Sequence, residues 1–359
     1  MTARLWMLTR KHPPSIGGMQ QLSFQLASHL RGLRPITLVA GGHGQWALPL
    51  FFLVAFFRIL VGLLRGSISV LHIGDPALAA LAWLPRRLGV PVVATVHGLD
   101  ISYGNRIYQA YLRQFFWRRM SGYVCISHHV ADMVVSHGID AGQVHVVPVG
   151  IIEPAQVPAD SSLAASVAEA YPVLLTLGRL VERKGVAWFV DQVASQWLPK
   201  HPAAVLVIAG DGPMRIPVQA VIARHGLSGQ VRLLGETSDR EKWWWLARSD
   251  LVVMPNIPVA ADVEGFGLVA LEAAVAGTYV AASNMEGLRD AITDGCNGTQ
   301  VEPANATKWM AALDQLTEDR DRLQCLGAAA RPFVMARFSW PAIAAQHHQL
   351  FEALESHAP

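Results

Sequence analysis

The segment Val263-Glu264-Gly265-Phe266-Gly267-Leu268-Val269-Ala270-Leu271-Glu272 sets two carboxylates around a helix start, Glu264 in the loop and Glu272 inside the helix. Gly265 and Gly267 let the backbone approach a ligand with no Cβ in the way, and the first N–H groups of the helix, those of Phe266, Gly267 and Leu268, face an anion. Such a segment can hold a sugar, a diphosphate and a ribose together. Arg179 and Lys184 follow the apolar run Val173–Leu177, which reads as a buried parallel strand. Two cations then leave a strand's carboxyl end, where open α/β sheets bind ligands. Arginine offers a planar fork and lysine a mobile point charge, a pair suited to a diphosphate. Taken one at a time, these pieces also fit a buried strand, loop and helix with solvated charges.

Three further groups sit at strand ends. His97 follows Val92–Val96, with Gly98 freeing the backbone beside it. Its imidazole can serve a substrate hydroxyl or fill a structural place. Asp100 either orients His97 or lines an acceptor site. Gly17 and Gly18 follow the first strand and open its helix, where backbone N–H groups can meet phosphate, although no G-x-G-x-x-G is present. Gly210 and Gly212 follow Val205–Ala209 in a tight turn that either lines a nucleotide pocket or is structural.

The elements that must position these groups alternate strand and helix. Short apolar runs fall near 5–8, 36–39, 70–73, 92–96, 123–126 and 144–147, then near 173–177, 205–209, 231–233, 251–254 and 279–282. This predicts two parallel sheets wrapped by helices, an α/β chain of two Rossmann-like halves facing a central cleft. Ile151–Ala170, with Pro154 and Pro158, reads as the connection, so the domains are 1–155, 156–338 and a terminal helix 339–359. The tail from Ala304 reads as helical with breaks at Pro332 and Pro341. Leu48–Leu64 is the strongest membrane signal, but it is short for a span and contains Arg58. It falls where a crossover helix is required, and residues 48–65 are expected either to dock on an anionic membrane surface or to pack as a buried crossover helix.

The 359 residues suit two domains, and 52% hydrophobic against 16% charged content leaves apolar material for two cores. A net charge of +2 without a basic stripe argues against nucleic acid as a partner. Cys125, Cys296 and Cys325 form neither a disulfide framework nor a zinc spacing, and the N-terminal residues read as a strand rather than a signal peptide. The expected location is therefore cytoplasmic, with a peripheral position on the inner face of the cytoplasmic membrane if the helix docks. Asp319-Arg320-Asp321 has a metal-binding D-x-D spacing but lies in a charged helical tail, and no metal or cofactor is expected. Trp243-Trp244-Trp245 should pack in part against 231–233, and His347-His348 reads as a solvated helix face.

The series Gly17-Gly18, His97-Gly98-Leu99-Asp100, Leu177-Gly178-Arg179 with Lys184-Gly185, Ala209-Gly210-Asp211-Gly212-Pro213 and Glu264-x7-Glu272 resembles the family-4 retaining glycosyltransferases of the GT-B fold. The resemblance implies transfer of a sugar from a nucleoside-diphosphate-sugar to an acceptor hydroxyl, here a lipid-linked or cell-envelope glycan. It implies that Glu272 meets the ribose, that Glu264 and His97 meet the donor sugar, and that Arg179 and Lys184 carry the diphosphate charge. It also implies a last helix crossing back to the first domain. The chain departs from the family pattern at Pro148-Val149-Gly150 and Gly287-Leu288-Arg289-Asp290. An epimerase or phosphorylase of the same architecture and a non-catalytic sugar-nucleotide-binding membrane subunit are the competing readings.

Overall fold

The computed structural model describes residues 3–12, 18–41, 48–154, 163, 167–260 and 262–356. The chain divides into two compact units, Met1–Gly150 with Phe338–Pro359, and Ile151–Arg337. Each is built on a six-stranded parallel sheet.

In the first unit, β1 (Arg4–Thr9), β2 (Ile36–Ala40), β3 (Ile68–Ile73), β4 (Val92–Val96), β5 (Gly122–Cys125) and β6 (Val144–Val146) lie in the order β2-β1-β3-β4-β5-β6. β1 pairs in parallel with β2 and β3. Strands buried on both faces need unbroken apolar runs, and all five residues of β4 are buried. One side of the sheet is covered by helices Gly18–Leu30 and Trp340–Ser356, which pack on each other. Leu26, Leu30, Trp340, Ile343 and Phe351 share a core with Leu5, Val70 and Val124. An Arg34–Glu355 ion pair ties the last helix down near its end.

In the second unit, β7 (Val173–Leu177), β8 (Val205–Ala209), β9 (Val231–Gly235), β10 (Leu251–Met254), β11 (Tyr279–Ser283) and β12 (Thr299–Val301) lie in the order β12-β11-β10-β7-β8-β9. The chain runs outward from β7 to β9 and then returns to the other side of β7 with β10. The β7/β10 boundary is thus the point where strand order reverses, and loops leaving the two strands there diverge to leave a crevice. In the first unit the same reversal lies between β1 and β3.

Three expectations change. Residues 299–301 form an edge strand that the apolar pattern did not reveal, because Thr-Gln-Val is short and polar. Pro332 does not break the tail: one helix runs Arg320–Phe338 through it. Leu323, Ala330, Val334 and Phe338 are buried on both sides of the proline, and this packing offsets its missing hydrogen bond. The tryptophan helix Asp239–Arg248, opened by a Ser238–Glu241 capping box, packs mainly on β7 and helix Leu268–Val275 rather than on β9. Trp244 and Trp245 are buried, and Lys242 lies 5.1 Å over the Trp243 ring.

Candidate active site

The second unit gathers the charged candidates at its strand-order reversal. Lys184 leaves β7 in the turn Glu182–Lys184, and Glu264 lies beyond β10. Gly185 brings this loop against the Pro255 backbone, and Ile257 N–H donates to Arg183 C=O at 2.9 Å. Lys184 Nζ then lies 2.6 Å from Glu264 Oε2, and Arg183 reaches the same oxygen. Arg183 Nε also donates to Asp262 at 2.9 Å, and Asn256 Nδ2 donates to Glu264 Oε2 at 2.9 Å. Burial pushes the Glu264 carboxyl up, but Lys184 and Arg183 outweigh it and hold the group below the usual carboxylate range.

Arg179 makes no ion pair with any described residue and is exposed, so its guanidinium is available to a ligand. It borders two adjoining hollows. The smaller is lined by Arg179, Lys184 and Asn256. The larger, about 710 Å³, is lined by Arg179, Gly210, Lys242, Val269 and Glu272. Gly210 adopts φ +138°, and a Cβ there would fall 1.9 Å from the Gly178 carbonyl oxygen, so glycine alone lets the β8 loop lie on the β7 loop.

Helix Leu268–Val275 presents its start to the same side. Gly267 is left-handed at φ 79° and no side chain caps the helix, which leaves the first turn open to an anion. Phe266 is buried and anchors this turn. The turn is fixed from below: Glu264 N–H donates to Glu286 at 2.6 Å and Gly287 N–H donates to Glu264 C=O at 3.1 Å. Val269 and Glu272, three positions apart on the helix, share the face toward the larger hollow. Lys242 Nζ lies 3.0 Å from Glu272 Oε1, yet burial outweighs this cation and raises the Glu272 carboxyl.

In the first unit, His97 and Asp100 occupy the turn after β4. Both Asp100 oxygens accept the His97 backbone N–H, at 3.1 and 3.0 Å, so Asp100 fixes the turn and not the imidazole. Burial lowers His97 to about 4 and raises Asp100 to about 7, the latter against the pull of the His97 N–H. His97 borders a small hollow of about 40 Å³ with Thr9, His72, Trp340 and His347. His347 is therefore buried rather than on a solvated face, its ring 6.5 Å from His72. Burial lowers it to about 4 and lowers His72 to about 3. Gly18 opens helix Gly18–Leu30, and Gly17 lies outside the described residues. Asp319 is exposed and accepts the Arg322 N–H at 3.0 Å as a cap of its helix.

Four participants escaped the sequence reading. Lys242 stood beside three tryptophans, Arg183 beside a better-placed lysine, and Asn256 and Glu286 in loops without a motif. No sequence signal marked Lys242, because Asp239 and Glu241 offer it carboxylates nearer in sequence than Glu272 does.

The chain matches two family models: Glycosyl transferase 4-like domain over residues 7–150 and Glycosyl transferases group 1 over residues 163–333. It is 33% identical over 184 residues to the glycogen synthase of Mycobacterium tuberculosis, covering 50% of this chain and 42% of that protein. The chain thus spans less than half the length of that relative. It is 28% identical over 308 residues to the phosphatidyl-myo-inositol mannosyltransferase of Mycobacterium leprae, covering 83% and 76%. Among solved structures, Anabaena Alr3699/HepE in complex with UDP aligns over 98% of this chain and 100% of its own with a TM-score of 0.76 at 19% identity. Two parallel sheets of this topology, two family models in sequence and the ordered glycine, lysine and glutamate positions agree: the chain belongs to the group 1, family-4 type glycosyltransferases and has the GT-B fold.

Proposed function

We propose that the protein moves a sugar from a nucleoside-diphosphate-sugar to a hydroxyl of a lipid-linked or cell-envelope glycan, with retention at the anomeric carbon and without a metal. The observation that carries this reading is the ring of Arg179, Gly210, Lys242 and Glu272 around one hollow at the carboxyl edge of the second sheet, with Lys184 in the hollow beside it. Glu272 accepts the ribose hydroxyls, and Arg179, Lys184 and the amides of Phe266, Gly267 and Leu268 meet the diphosphate. Charge grows there as the glycosidic bond breaks, and fixed cations and amides stabilise it without reorganisation.

Glu264 holds the donor sugar's hydroxyls. Its bonds to Lys184, Arg183 and Asn256 keep it ionised and fixed, which suits a hydrogen-bond acceptor better than a proton donor. The acceptor oxygen attacks the anomeric carbon on the face that the diphosphate leaves, the carbon–oxygen bond to phosphate breaks, and a phosphate oxygen takes the hydroxyl proton. His97, neutral at physiological pH, bonds a hydroxyl of the transferred sugar, and Asp100 stands with it on the first unit, which takes the acceptor. Gly17 and Gly18 carry the phosphate-facing backbone role that their sequence position suggests. An anionic membrane surface is reached through residues 48–65.

A panel of UDP-, GDP- and ADP-sugars, scored by thermal stabilisation and then by transfer to lipid extracts, tests the proposal. Stabilisation by one base class, lost in Arg179→Ala and followed by retained-configuration product, is expected. Stabilisation without transfer favours a non-catalytic subunit, and epimerised donor favours an epimerase.

A further inference from the structure

We propose a second anion site, distant in sequence from the glycine and glutamate motifs: an arginine-lined hollow in the first unit that grips the headgroup phosphate of an anionic lipid while helix Leu48–Leu64 enters the leaflet. The hollow measures about 230 Å³ and is bounded by Trp83, Arg86, Arg87, Phe115, Arg118 and Arg119. All four arginines are exposed, and none pairs with a carboxylate among the described residues. Arg87 lies 4.4 Å over the exposed Trp83 ring, a place where an aromatic belongs in a membrane interface.

The segment that carries the hollow is dominated by one sign of charge. Between Leu48 and Arg119 the sequence holds eight arginines, no lysine and two acidic residues, Asp75 and Asp100. Asp75 is buried and paired with Arg10, and Asp100 is bound into the His97 turn. All eight arginines are exposed. Four exposed arginines around one hollow, in a segment whose two acids are engaged elsewhere, complement a negative leaflet.

Apolar surface lies on the same side of the sheet. The β2-to-β3 and β3-to-β4 crossovers are right-handed by rule, which puts helix Leu48–Leu64 and the Pro76–Ala82 turn on one face, and the two are in contact. Helix Trp83–Arg87 follows that turn directly, and helix Arg106–Phe115, which ends at the hollow, packs on it too. Leu50, Leu53, Phe57 and Leu64 are 64%, 54%, 55% and 79% exposed, while only Ala55, Ile59 and Gly62 of that helix are buried. No helix among the described residues is long and apolar enough to cross a membrane. A helix with a wide apolar face, a basic rim and too little length to span lies in the interface plane. Isolated apolar residues on a surface need no explanation, but a contiguous helix face of this kind does.

The inference rests on the membrane contact proposed for residues 48–65 and is independent of the transfer reaction. The test is co-sedimentation of the full chain with phosphatidylcholine vesicles, with and without phosphatidylglycerol, for the parent, for Arg87→Gln with Arg119→Gln, and for Leu53→Ser with Phe57→Ser. Among the described residues neither arginine side chain holds a hydrogen bond, and Arg87 rests on the exposed Trp83 ring, so the first variant should melt close to the parent. Retention by anionic vesicles only, weakened about thirty-fold in the arginine variant and also lost in the helix variant, is expected. Loss in the helix variant alone overturns the arginine site and leaves the membrane contact standing. No retention of the parent at low salt overturns both. Stabilisation by inorganic phosphate without vesicle binding, or a dimer in sedimentation velocity that the helix variant abolishes, assigns the surface to another occupant and also overturns the proposal.

Discussion

Lys184 and Glu264 form one ion pair, Nζ to Oε2 at 2.6 Å, across the crevice where strand order reverses in the second sheet. Arg183 holds the same oxygen, so the two members of the pair are not equivalent under mutation. Lys184→Ala leaves Glu264 neutralised by Arg183, whereas Glu264→Ala leaves the little-exposed Lys184 without a carboxylate partner and Arg183 with Asp262 alone. Removing one partner of a buried pair costs about 3–5 kcal/mol. Glu264→Ala should therefore melt about 10 °C below the parent, and Lys184→Ala much closer to it. Lys184→Ala should still lower kcat by about a hundred-fold or more, because a cation at the leaving group is lost. Scanning calorimetry beside a transfer assay separates the two effects, and a Glu264→Ala variant that melts with the parent and keeps full turnover would reject the assignment.

The Lys242–Glu272 pair makes a different prediction. Glu272 is raised by burial and held back only by Lys242, 3.0 Å away. Lys242→Met removes that restraint, so the carboxyl rises further and protonates at a higher pH. A protonated Glu272 is a poorer acceptor for ribose hydroxyls. Nucleoside-diphosphate affinity in Lys242→Met should thus weaken toward the acid end of a pH series and recover as pH rises, while Glu272→Gln should lose about ten-fold at every pH. Titration calorimetry across that range decides it.

Asp100 gives a prediction in stability. Its folded pKa of about 7 lies above the ordinary 3.8, so the folded state binds the extra proton between these values. Stability from this group is then present at low pH and lost as pH rises from about 4 through 7. Asp100→Asn keeps an oxygen for the His97 N–H but does not ionise. The variant should gain melting temperature relative to the parent at pH 8 and show little difference at pH 4.5. An unchanged difference across the series would mean that Asp100 is ordinarily ionised in the folded chain.

How much of this was legible beforehand follows from what each element is made of. β4 and β8 are unbroken apolar runs, and a strand covered on both faces can be made of little else, so their places were readable to within a residue. That Glu264, Glu272, Arg179 and Lys184 lie at one end of the second sheet was readable, because glycines and strand ends mark that edge. Their partners were not. Asn256, Glu286, Arg183 and Lys242 reach the site through loop paths and side-chain lengths that a linear pattern does not encode. The burial of His347 was hidden for the same reason: its helix looks half polar until the first sheet is seen beneath it.

Gly210 tests whether the two loops over the second sheet act as one surface. Its φ of +138° is strained for any residue with a Cβ, and that atom would meet the Gly178 carbonyl at 1.9 Å, with backbone and not a flexible side chain in the way. Gly210→Ala must push the β8 loop off the β7 loop, and Gly178 adjoins Arg179. The variant should lose nucleotide-induced stabilisation along with about 2–3 kcal/mol of folding stability. Gly226 supplies the control: it too is left-handed, at φ +65°, but its Cβ would enter open space. Gly226→Ala should cost about 1–2 kcal/mol of backbone strain and leave nucleotide stabilisation intact. If the two variants respond to nucleotide alike, close contact between the loops does not set the position of Arg179.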